Sequence, residues 1–143
     1  MTSSKQAKLQ MSFKSLLVID DNNDFITLVK LFMEFDTDWK IFTASDSREG
    51  IAKAQKFQPD LILLDVAMPY LDGIAVYKIL KSNQATRSIP TIFLTAMIGI
   101  EKAVQSKVDA DAKVITKPIG IISLKKQITD LYALYCPLVN SNK

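Results

Sequence analysis

Short apolar runs alternate along this chain with stretches in which apolar residues recur every three or four positions. The apolar runs predict β-strands at residues 15–20, 39–44, 61–65, 91–95 and 113–116. The segments between these runs, and the segment after the last one, have the period of amphipathic helices. Five strand–helix units predict an α/β fold, because neighbouring parallel strands need a crossover connection that is usually a helix.

The predicted helices carry apolar faces that we expect to pack on the sheet. These apolar positions are Phe25, Leu28, Val29 and Phe32 in the first helix, Val76, Ile79 and Leu80 in the third, and Ile121, Leu124, Ile128, Leu131 and Tyr135 in the last. The second helix contributes Ile51 and Ala54. The spacing within each set is close to one helical turn, so each set lies on one side of its helix.

Local signals mark the starts of several helices. Asn22 or Asn23 can cap the first helix. Asp46 and Glu49 have the spacing of a capping box at the start of the second helix. Gly99 stands at the start of the fourth helix, predicted over residues 99–107, and makes it the weakest of the five.

The strands differ in polarity, and this difference predicts their order. The runs at 16–19, 61–64 and 91–94 are apolar on both faces and should be central, whereas those at 39–44 and 113–116 are more polar and should be edges. A doubly wound, flavodoxin-like parallel sheet of order 2-1-3-4-5, flanked by five helices, satisfies this pattern. In such a sheet ligands bind at the carboxyl ends of strands 1 and 3.

The chain has the size and composition of one domain, with 143 residues, of which 48% are hydrophobic and 23% charged. We predict a flexible leader over 1–13, a domain over 14–136 and a tail over 137–143. Only eight residues follow Tyr135, so we expect a stand-alone domain without an output domain. The polar leader is no secretory signal and no apolar run could span a bilayer, which favours a cytoplasmic protein without membrane contact.

Charge and residue usage exclude several classes of function. The net charge is +3, and the lysines are spread over several predicted helices, so we expect no direct binding of nucleic acid. The chain has no histidine, which excludes Ser-His-Asp and Cys-His catalysis, common zinc sites and any phosphohistidine within this chain. Its one cysteine, Cys136, cannot form an internal disulfide and is expected to be packed as a small hydrophobic residue.

Polar residues end four of the predicted strands, at the edge where ligands bind. Asp20 and Asp21 end strand 1, Asp65 ends strand 3, Thr95 ends strand 4 and Lys117 follows strand 5. Taken singly, each residue has an ordinary explanation as a helix cap, a strand residue or a surface lysine. Taken together at one edge of one sheet, they predict a functional site.

The chemistry of these residue types indicates phosphoryl transfer beside a divalent cation. Three close carboxylates repel one another unless a proton or a cation lies among them, and oxygen ligands suit Mg²⁺. A carboxylate can attack phosphorus to form an acyl phosphate. The charge on the transferred group then requires a metal and an ammonium, which Lys117 can supply, with Thr95 as a hydroxyl donor.

The residues in this order resemble the receiver domains of two-component response regulators, the CheY-like domains, over about residues 14–135. The matching residues are Asp20-Asp21, Asp65 with Met68-Pro69 and Asp72-Gly73 after it, Thr95-Ala96 and Lys117-Pro118. The resemblance implies a signalling switch that takes part in its own phosphorylation and dephosphorylation but is otherwise no enzyme. It also implies a histidine kinase or histidine phosphotransfer protein as donor and a downstream target protein as partner.

The resemblance further implies a role for each site residue. Asp65 is expected to be the phosphoacceptor, and Asp21 to bind Mg²⁺ directly. Asp20 is expected to act largely through water, and the backbone carbonyl of Ala67 to complete the metal site together with Asp65.

Two further roles follow from the same resemblance. Thr95 is expected to move toward the phosphoryl group as the switch, and Lys117 to pair with that group. The Lys117-Pro118 peptide is expected to be cis, which aims the lysine inward.

The chain departs from the family pattern around the fifth strand. Val114 replaces a common aromatic, residues 108–110 replace the usual Gly-Ala before the strand, and Ile119 replaces the aromatic that often follows Lys-Pro. The family's usual output and homodimer surface is the face formed by the fourth helix, the fifth strand and the fifth helix. An alternative interpretation is therefore a receiver-like interaction module that works without phosphorylation.

Residues beside the site bear on turnover and on two competing protein classes. Neither Ala67 nor Met97 has a side chain that can hydrogen-bond an attacking water, which predicts a long-lived phosphoryl state.

A haloacid-dehalogenase-type phosphatase needs a second Asp where Ala67 stands. A flavodoxin-like cofactor carrier needs a Ser/Thr/Gly phosphate loop, whereas residues 20–24 are Asp-Asp-Asn-Asn-Asp and repel phosphate without a metal.

Overall fold

The computed structural model describes residues 14–35, 38–96, 99–108, 112–117 and 120–135. The strands are β1 (Lys14–Ile19), β2 (Trp39–Ala44), β3 (Leu61–Asp65), β4 (Thr91–Thr95) and β5 (Lys113–Thr116). The helices are α1 (Asn23–Phe35), α2 (Ser47–Phe57), α3 (Gly73–Ser82), α4 (Ile100–Lys107) and α5 (Ile121–Tyr135). The strict alternation confirms the predicted α/β fold.

The strands form one parallel sheet of order β2-β1-β3-β4-β5, as predicted. Every residue of β3 and β4 is buried, whereas β2 and β5 alternate with partly exposed positions. Leu16 of β1 lies between Ile41 of β2 and Leu61 of β3, and Asp65 lies beside Leu94 of β4. The polarity of each run therefore predicted its place in the sheet, because only central strands are covered on both faces.

The hydrophobic core has two layers, one on each face of the sheet. One layer joins α1 and α5 to residues such as Leu16 and Leu63, and the other joins α2, α3 and α4 to residues such as Leu17 and Ile62. Successive strand residues supply opposite layers because the side-chain period of a strand is two. Burying each such side chain contributes roughly 1.5–3 kcal/mol.

The buried face of α1 differs from the predicted one. Ile26, Val29 and Met33 are buried, whereas Leu28 is 51% exposed and Phe25 only packs against the rim of the core. The helix is apolar around most of its circumference, so spacing alone selected the wrong stripe. In α3, Ile79 is likewise 39% exposed while Val76 and Leu80 are buried.

The last helix packs as its sequence pattern predicted. Leu124 and Ile128 are buried, and three neighbours on the same face are partly buried against the core. These neighbours are Ile121, Leu131 and Tyr135.

Side-chain caps fix the starts of three helices. Asn22 Oδ1 accepts a hydrogen bond from the Phe25 N–H (3.0 Å), which identifies Asn22 as the cap of α1. Asp46 accepts from the Glu49 N–H (2.7 Å) at α2, and the Glu49 carboxylate accepts from the N–H of Ser45 (2.9 Å) rather than that of Asp46. Asp72 caps α3 in the same way.

The predicted weakness at the start of α4 is also visible. Gly99 has φ +83° and supplies no side-chain cap to this helix. No described helix combines the length and apolar character that crossing a bilayer requires. Several predictions fall outside the described residues: the leader over 1–13, Met97, residues 109–110, the peptide conformation at Pro118, Ile119, Cys136 and the tail over 137–143.

Candidate functional site

The structure brings the polar strand ends together at one edge of the sheet. Asp20 follows β1, Asp65 is the last residue of β3, Thr95 is the last residue of β4 and Lys117 follows β5. Backbone hydrogen bonds hold these ends in register, from the Lys117 N–H to the Thr95 carbonyl (2.7 Å) and from the Val66 N–H to the Leu94 carbonyl (3.0 Å). The five predicted residues therefore share one edge because parallel strands all end on the same side.

Three carboxylates form the centre of the site. Carboxylate oxygens of Asp20, Asp21 and Asp65 all lie within 4.8 Å of one another. Asp20 is 0% exposed and Asp65 is 4% exposed, whereas Asp21 faces solvent. The N–H of Asn22 donates to Asp20 Oδ1 (2.9 Å), so the turn into α1 holds that carboxylate in place.

Lys117 reaches into the acidic cluster and pairs with Asp20. Its Nζ lies 2.5 Å from Asp20 Oδ2, and its side chain is only 18% exposed. The same ammonium lies 4.5 Å from the centre of the Phe25 ring, which covers it from α1. The lysine thus points inward, and its partner in this structure is Asp20.

The pKa of Asp65 is raised from 3.8 to about 7, mainly because the carboxyl group is buried, and in addition because the negative charge of Asp20 lies nearby. The charge of Lys117 and the N–H of Ala67, which donates to Asp65 Oδ1 (3.2 Å), lower this pKa only in part. Asp65 is therefore a carboxyl group whose ionised form needs additional positive charge.

The acidic cluster fits a magnesium ion by its donor chemistry. All three candidate side chains offer oxygen, and three carboxylates against one ammonium leave an excess of two negative charges when all are ionised. Mg²⁺ binds through one or two carboxylates while keeping several waters, and the exposed Asp21 gives solvent access. The residues present are thus suitable for this ion.

Thr95 and Ala67 lie near Asp65 in the sheet and in the sequence, respectively. Thr95 is completely buried at the end of the neighbouring strand. Ala67 is exposed two residues after Asp65, in the loop that leads to α3. Thr95 thus ends the strand next to that of Asp65, and Ala67 lies in the loop directly after Asp65; the roles predicted for both remain predictions.

Gly73 packs directly against the end of β3, which the sequence pattern did not reveal. A Cβ at this position would lie 2.2 Å from the carbonyl oxygen of Asp65, and the Gly73 N–H donates to the Val66 carbonyl (2.8 Å). The Asp72-Gly73 pair predicted a turn, but only the folded chain shows that the turn returns onto the backbone of Asp65.

Tyr70 is a second feature that sequence reasoning missed. It has φ +68° and is fully exposed, and the Leu71 N–H donates to the Pro69 carbonyl across it (2.8 Å). This is a three-residue γ-turn with a non-glycine residue in its strained form. Nothing in the local sequence marks an aromatic residue for such a turn.

Solved structures with the same fold are CheY-like proteins. The chemotaxis protein CheY4 of Vibrio cholerae superposes with a TM-score of 0.73 at 28% identity, over 82% of this chain and 98% of that one. The receiver domain of the Francisella response regulator 1452 gives a TM-score of 0.71 at 28% identity, over 83% and 96% of the two chains. The structure therefore has the CheY-like, flavodoxin-like fold.

The sequence comparison shows the family. The model of the response regulator receiver domain matches residues 16–129, and the chain belongs to this family. Membership in this family supports a phosphorylation-dependent signalling role, and receiver domains typically act as signalling switches rather than as catalytic enzymes.

Two curated relatives place the chain among response regulators. Response regulator PleD of Caulobacter vibrioides is 35% identical over 118 residues, 81% of this chain and 25% of PleD. The DNA-binding dual master transcriptional regulator RpaA of Synechocystis is 31% identical over 116 residues, 81% of this chain and 48% of RpaA. The chain thus spans between a quarter and about half the length of these relatives.

Proposed function

We propose that this protein is a phosphorylation-dependent switch of a two-component system or phosphorelay, with Asp65 as the phosphoacceptor. The observation that carries the proposal is a nearly buried carboxyl group of raised pKa, beside two further carboxylates and one inward-pointing lysine. A solvated structural aspartate would not need such surroundings. The donor is a histidine kinase or a histidine phosphotransfer protein, since this chain contains no histidine.

The acidic cluster is proposed to bind Mg²⁺, which supplies positive charge to the transferring phosphoryl group. Asp21, which is exposed, and Asp65, which is nearly buried, each offer a carboxylate oxygen to the cluster. Asp20 already accepts bonds from Lys117 and Asn22, and so acts mainly through water. The backbone carbonyl of Ala67 is the remaining proposed ligand.

Phosphoryl transfer makes one bond and breaks another. A carboxylate oxygen of Asp65 forms the new O–P bond, while the P–N bond to the donor histidine breaks and the imidazole keeps the electron pair. Lys117 is close enough to the cluster to lower the pKa of Asp65, so its ammonium also stabilises the charge that arrives.

The switch follows from contacts that exist only in the phosphorylated state. The new dianionic group competes with Asp20 for the Lys117 ammonium and offers acceptor oxygens to the Thr95 hydroxyl. A difference of about 2–3 kcal/mol between the two states changes their ratio by some 30- to 150-fold. Phosphorylation thus shifts the equilibrium toward a second conformation of the protein.

The proposed output and dimer surface is the face formed by α4, β5 and α5. A groove of about 360 Å³ runs along it between Gln105 of α4, Val114 of β5 and Asp130 of α5. Val114 is partly buried there against the core. A downstream target or a second copy of the chain is expected to bind this face in a state-dependent manner.

The test is incubation with Mg²⁺ and acetyl phosphate, followed by mass spectrometry. We expect one added phosphoryl group, located at Asp65 by peptide mapping and absent in Asp65→Asn. Asp130→Asn is the matched control, because Asp130 is an exposed aspartate on α5 far along the chain from the site.

Two additional variants refine this test. Lys117→Met should slow labelling at least tenfold, since it removes the only ammonium found at the described site. Ala67→Asn should shorten the lifetime of the phosphoryl group, because a carboxamide can orient an attacking water. An unchanged lifetime in Ala67→Asn would count against the long-lived state.

The alternative function is a receiver-like interaction module that works without phosphorylation. The partly buried Val114 favours it, because the chain lacks an aromatic side chain whose rotamer could follow the switch at that position. A folded wild-type protein that binds Mg²⁺ but acquires no phosphoryl group from acetyl phosphate or from a phosphohistidine donor would favour this module.

A further inference from the structure

The strand β2 forms one edge of the described sheet, and side chains of two helices bind the backbone groups on its outer side. β2 ends the described sheet, with β1 on one side and no described strand on the other. An edge strand exposes backbone N–H and C=O groups that can pair with a strand of another molecule. The sequence of β2, Trp-Lys-Ile-Phe-Thr-Ala, is rich in residues that favour strands, so this edge is suited to such pairing.

An ion pair on α1 occupies both backbone groups of Ile41. The Ile41 N–H donates to Glu34 Oε2 (2.9 Å), and the Ile41 carbonyl accepts from Lys30 Nζ (3.1 Å). Lys30 and Glu34 also contact each other at 3.0 Å, one helical turn apart. Together they supply one donor and one acceptor to this residue, as a neighbouring strand would.

A lysine on the opposite face of the sheet occupies the next outward position. Lys53 of α2 donates from Nζ to the Thr43 carbonyl (2.5 Å) and pairs with Glu49 (3.0 Å). Because α1 and α2 belong to different core layers, these side chains reach the edge from both faces of the sheet. The three side chains thus bind both backbone groups of Ile41 and the carbonyl of Thr43.

The edge is flanked by aromatic surface that an open edge would expose to a partner. Phe42 stacks on Phe57 with ring centres 4.4 Å apart, and Phe57 is 40% exposed. An unpaired edge next to apolar surface is a typical site of strand-to-strand association. Charged side chains on such an edge oppose this association.

We propose that Lys30, Glu34 and Lys53 close the free edge of β2. When these side chains are removed, the backbone edge that they cover pairs with β2 of a second copy of this chain. The three side chains form a polar cover, defined here as the β2 edge cover. The cover is independent of the acidic cluster, so this proposal holds whether or not Asp65 is phosphorylated.

The experiment compares the double variant Lys30→Ala/Glu34→Ala with the control Lys78→Ala. Lys78 is an exposed lysine on α3, outside both the β2 edge and the proposed output surface, and the described structure shows no ion pair for it. Sedimentation velocity over a range of concentrations measures association. Hydrogen exchange measures the protection of the Ile41 amide.

We expect the Lys30/Glu34 double variant to exchange the Ile41 amide at least tenfold faster as a dilute monomer. It should associate as concentration rises and regain protection in β2 on association, while the control behaves as wild type. The proposal is overturned if the double variant stays as monomeric as the control, or if it associates while β2 remains unprotected.

A variant closer to wild type covers the case in which the double variant does not fold. Glu34→Leu leaves Lys30 on the Ile41 carbonyl but removes the acceptor for the Ile41 N–H, whereas Glu34→Gln keeps an acceptor oxygen. We expect Glu34→Leu to associate and Glu34→Gln to stay near wild type. Equal behaviour of these two variants would contradict the role of that acceptor.

Discussion

The acidic cluster at the strand ends and the β2 edge cover both join lysines to carboxylates, but with opposite charge balance. The cluster holds three carboxylates against one ammonium, two of them almost without solvent. At the edge, Lys30 and Lys53 each pair with a glutamate and also bind a backbone carbonyl. Each ammonium at the edge is therefore balanced by one carboxylate, whereas the cluster has an excess of negative charge that favours binding of a cation.

The pKa values show the same contrast. Burial and the charge of Asp20 raise the pKa of Asp65 to about 7. At the edge, burial raises the pKa of Glu34, but the Ile41 N–H and the Lys30 ammonium outweigh it and lower this pKa overall. The acidic cluster thus lacks the compensating partners that the edge contact has, and the difference is measurable in the free energy of unfolding.

The largest expected effect comes from adding a side chain at Gly73, which packs against the backbone of Asp65. Gly73→Ala places a Cβ 2.2 Å from the Asp65 carbonyl oxygen, so the loop or the end of β3 must move. We expect the free energy of unfolding to fall by about 3 kcal/mol, as overpacking typically does. Urea denaturation measures this, with Gly120→Ala as the control because nothing lies within 4 Å of its added Cβ.

A smaller expected effect comes from neutralising Asp65. Its folded pKa of about 7 exceeds the ordinary 3.8, so without a metal the native state binds the proton more tightly than the unfolded state. The wild-type free energy of unfolding should therefore fall as pH rises from about 4 to 7. In Asp65→Asn this slope should be weaker, with a gain of about 2 kcal/mol at pH 7.5 in EDTA.

Magnesium provides the control for that measurement. Mg²⁺ should stabilise the wild type by binding the native state, and should stabilise Asp65→Asn less. If the two proteins show the same pH dependence in EDTA, the cluster is not the charge-strained region described here.

The smallest expected effect lies at the edge. Lys53→Met removes the ammonium from the Thr43 carbonyl and from Glu49, but keeps the apolar stem of the side chain. Water can replace the lost bonds, so we expect a loss of about 0.5 kcal/mol in the free energy of unfolding. A loss as large as that of Gly73→Ala would remove the contrast between the two regions.

The sequence predicted the structure best where a residue type can occupy only one kind of position in the fold. The apolar runs predicted all five strands and their order, because a strand covered on both faces must be mostly apolar, whereas an edge strand tolerates polar positions. Asp46 and the Asn22-Asn23 pair predicted helix starts, because such side chains satisfy N–H groups that every helix leaves unpaired, and the structure shows that Asn22 is the cap of α1. The prediction failed for Leu28, since α1 offers more apolar positions than the sheet can cover.

The features of the candidate site likewise fall into those that the sequence predicted and those that it did not. That Asp20, Asp65 and Thr95 would meet followed from their common position at the ends of parallel strands. That Lys117 pairs with Asp20, and that Gly73 touches the Asp65 backbone, did not follow from any spacing. The first contact joins residues 97 positions apart in the chain, and the second depends on how the loop after β3 folds back.

The order of residue types along the chain determined the α/β fold, the sheet order and the set of side chains at the carboxyl edge. Those properties depend on periodicity and polarity, which are local. Only the tertiary structure decided which apolar stripe of α1 is buried, which acid holds the lysine and which side chains cover β2. These depend on distances between separate elements, which no local pattern encodes.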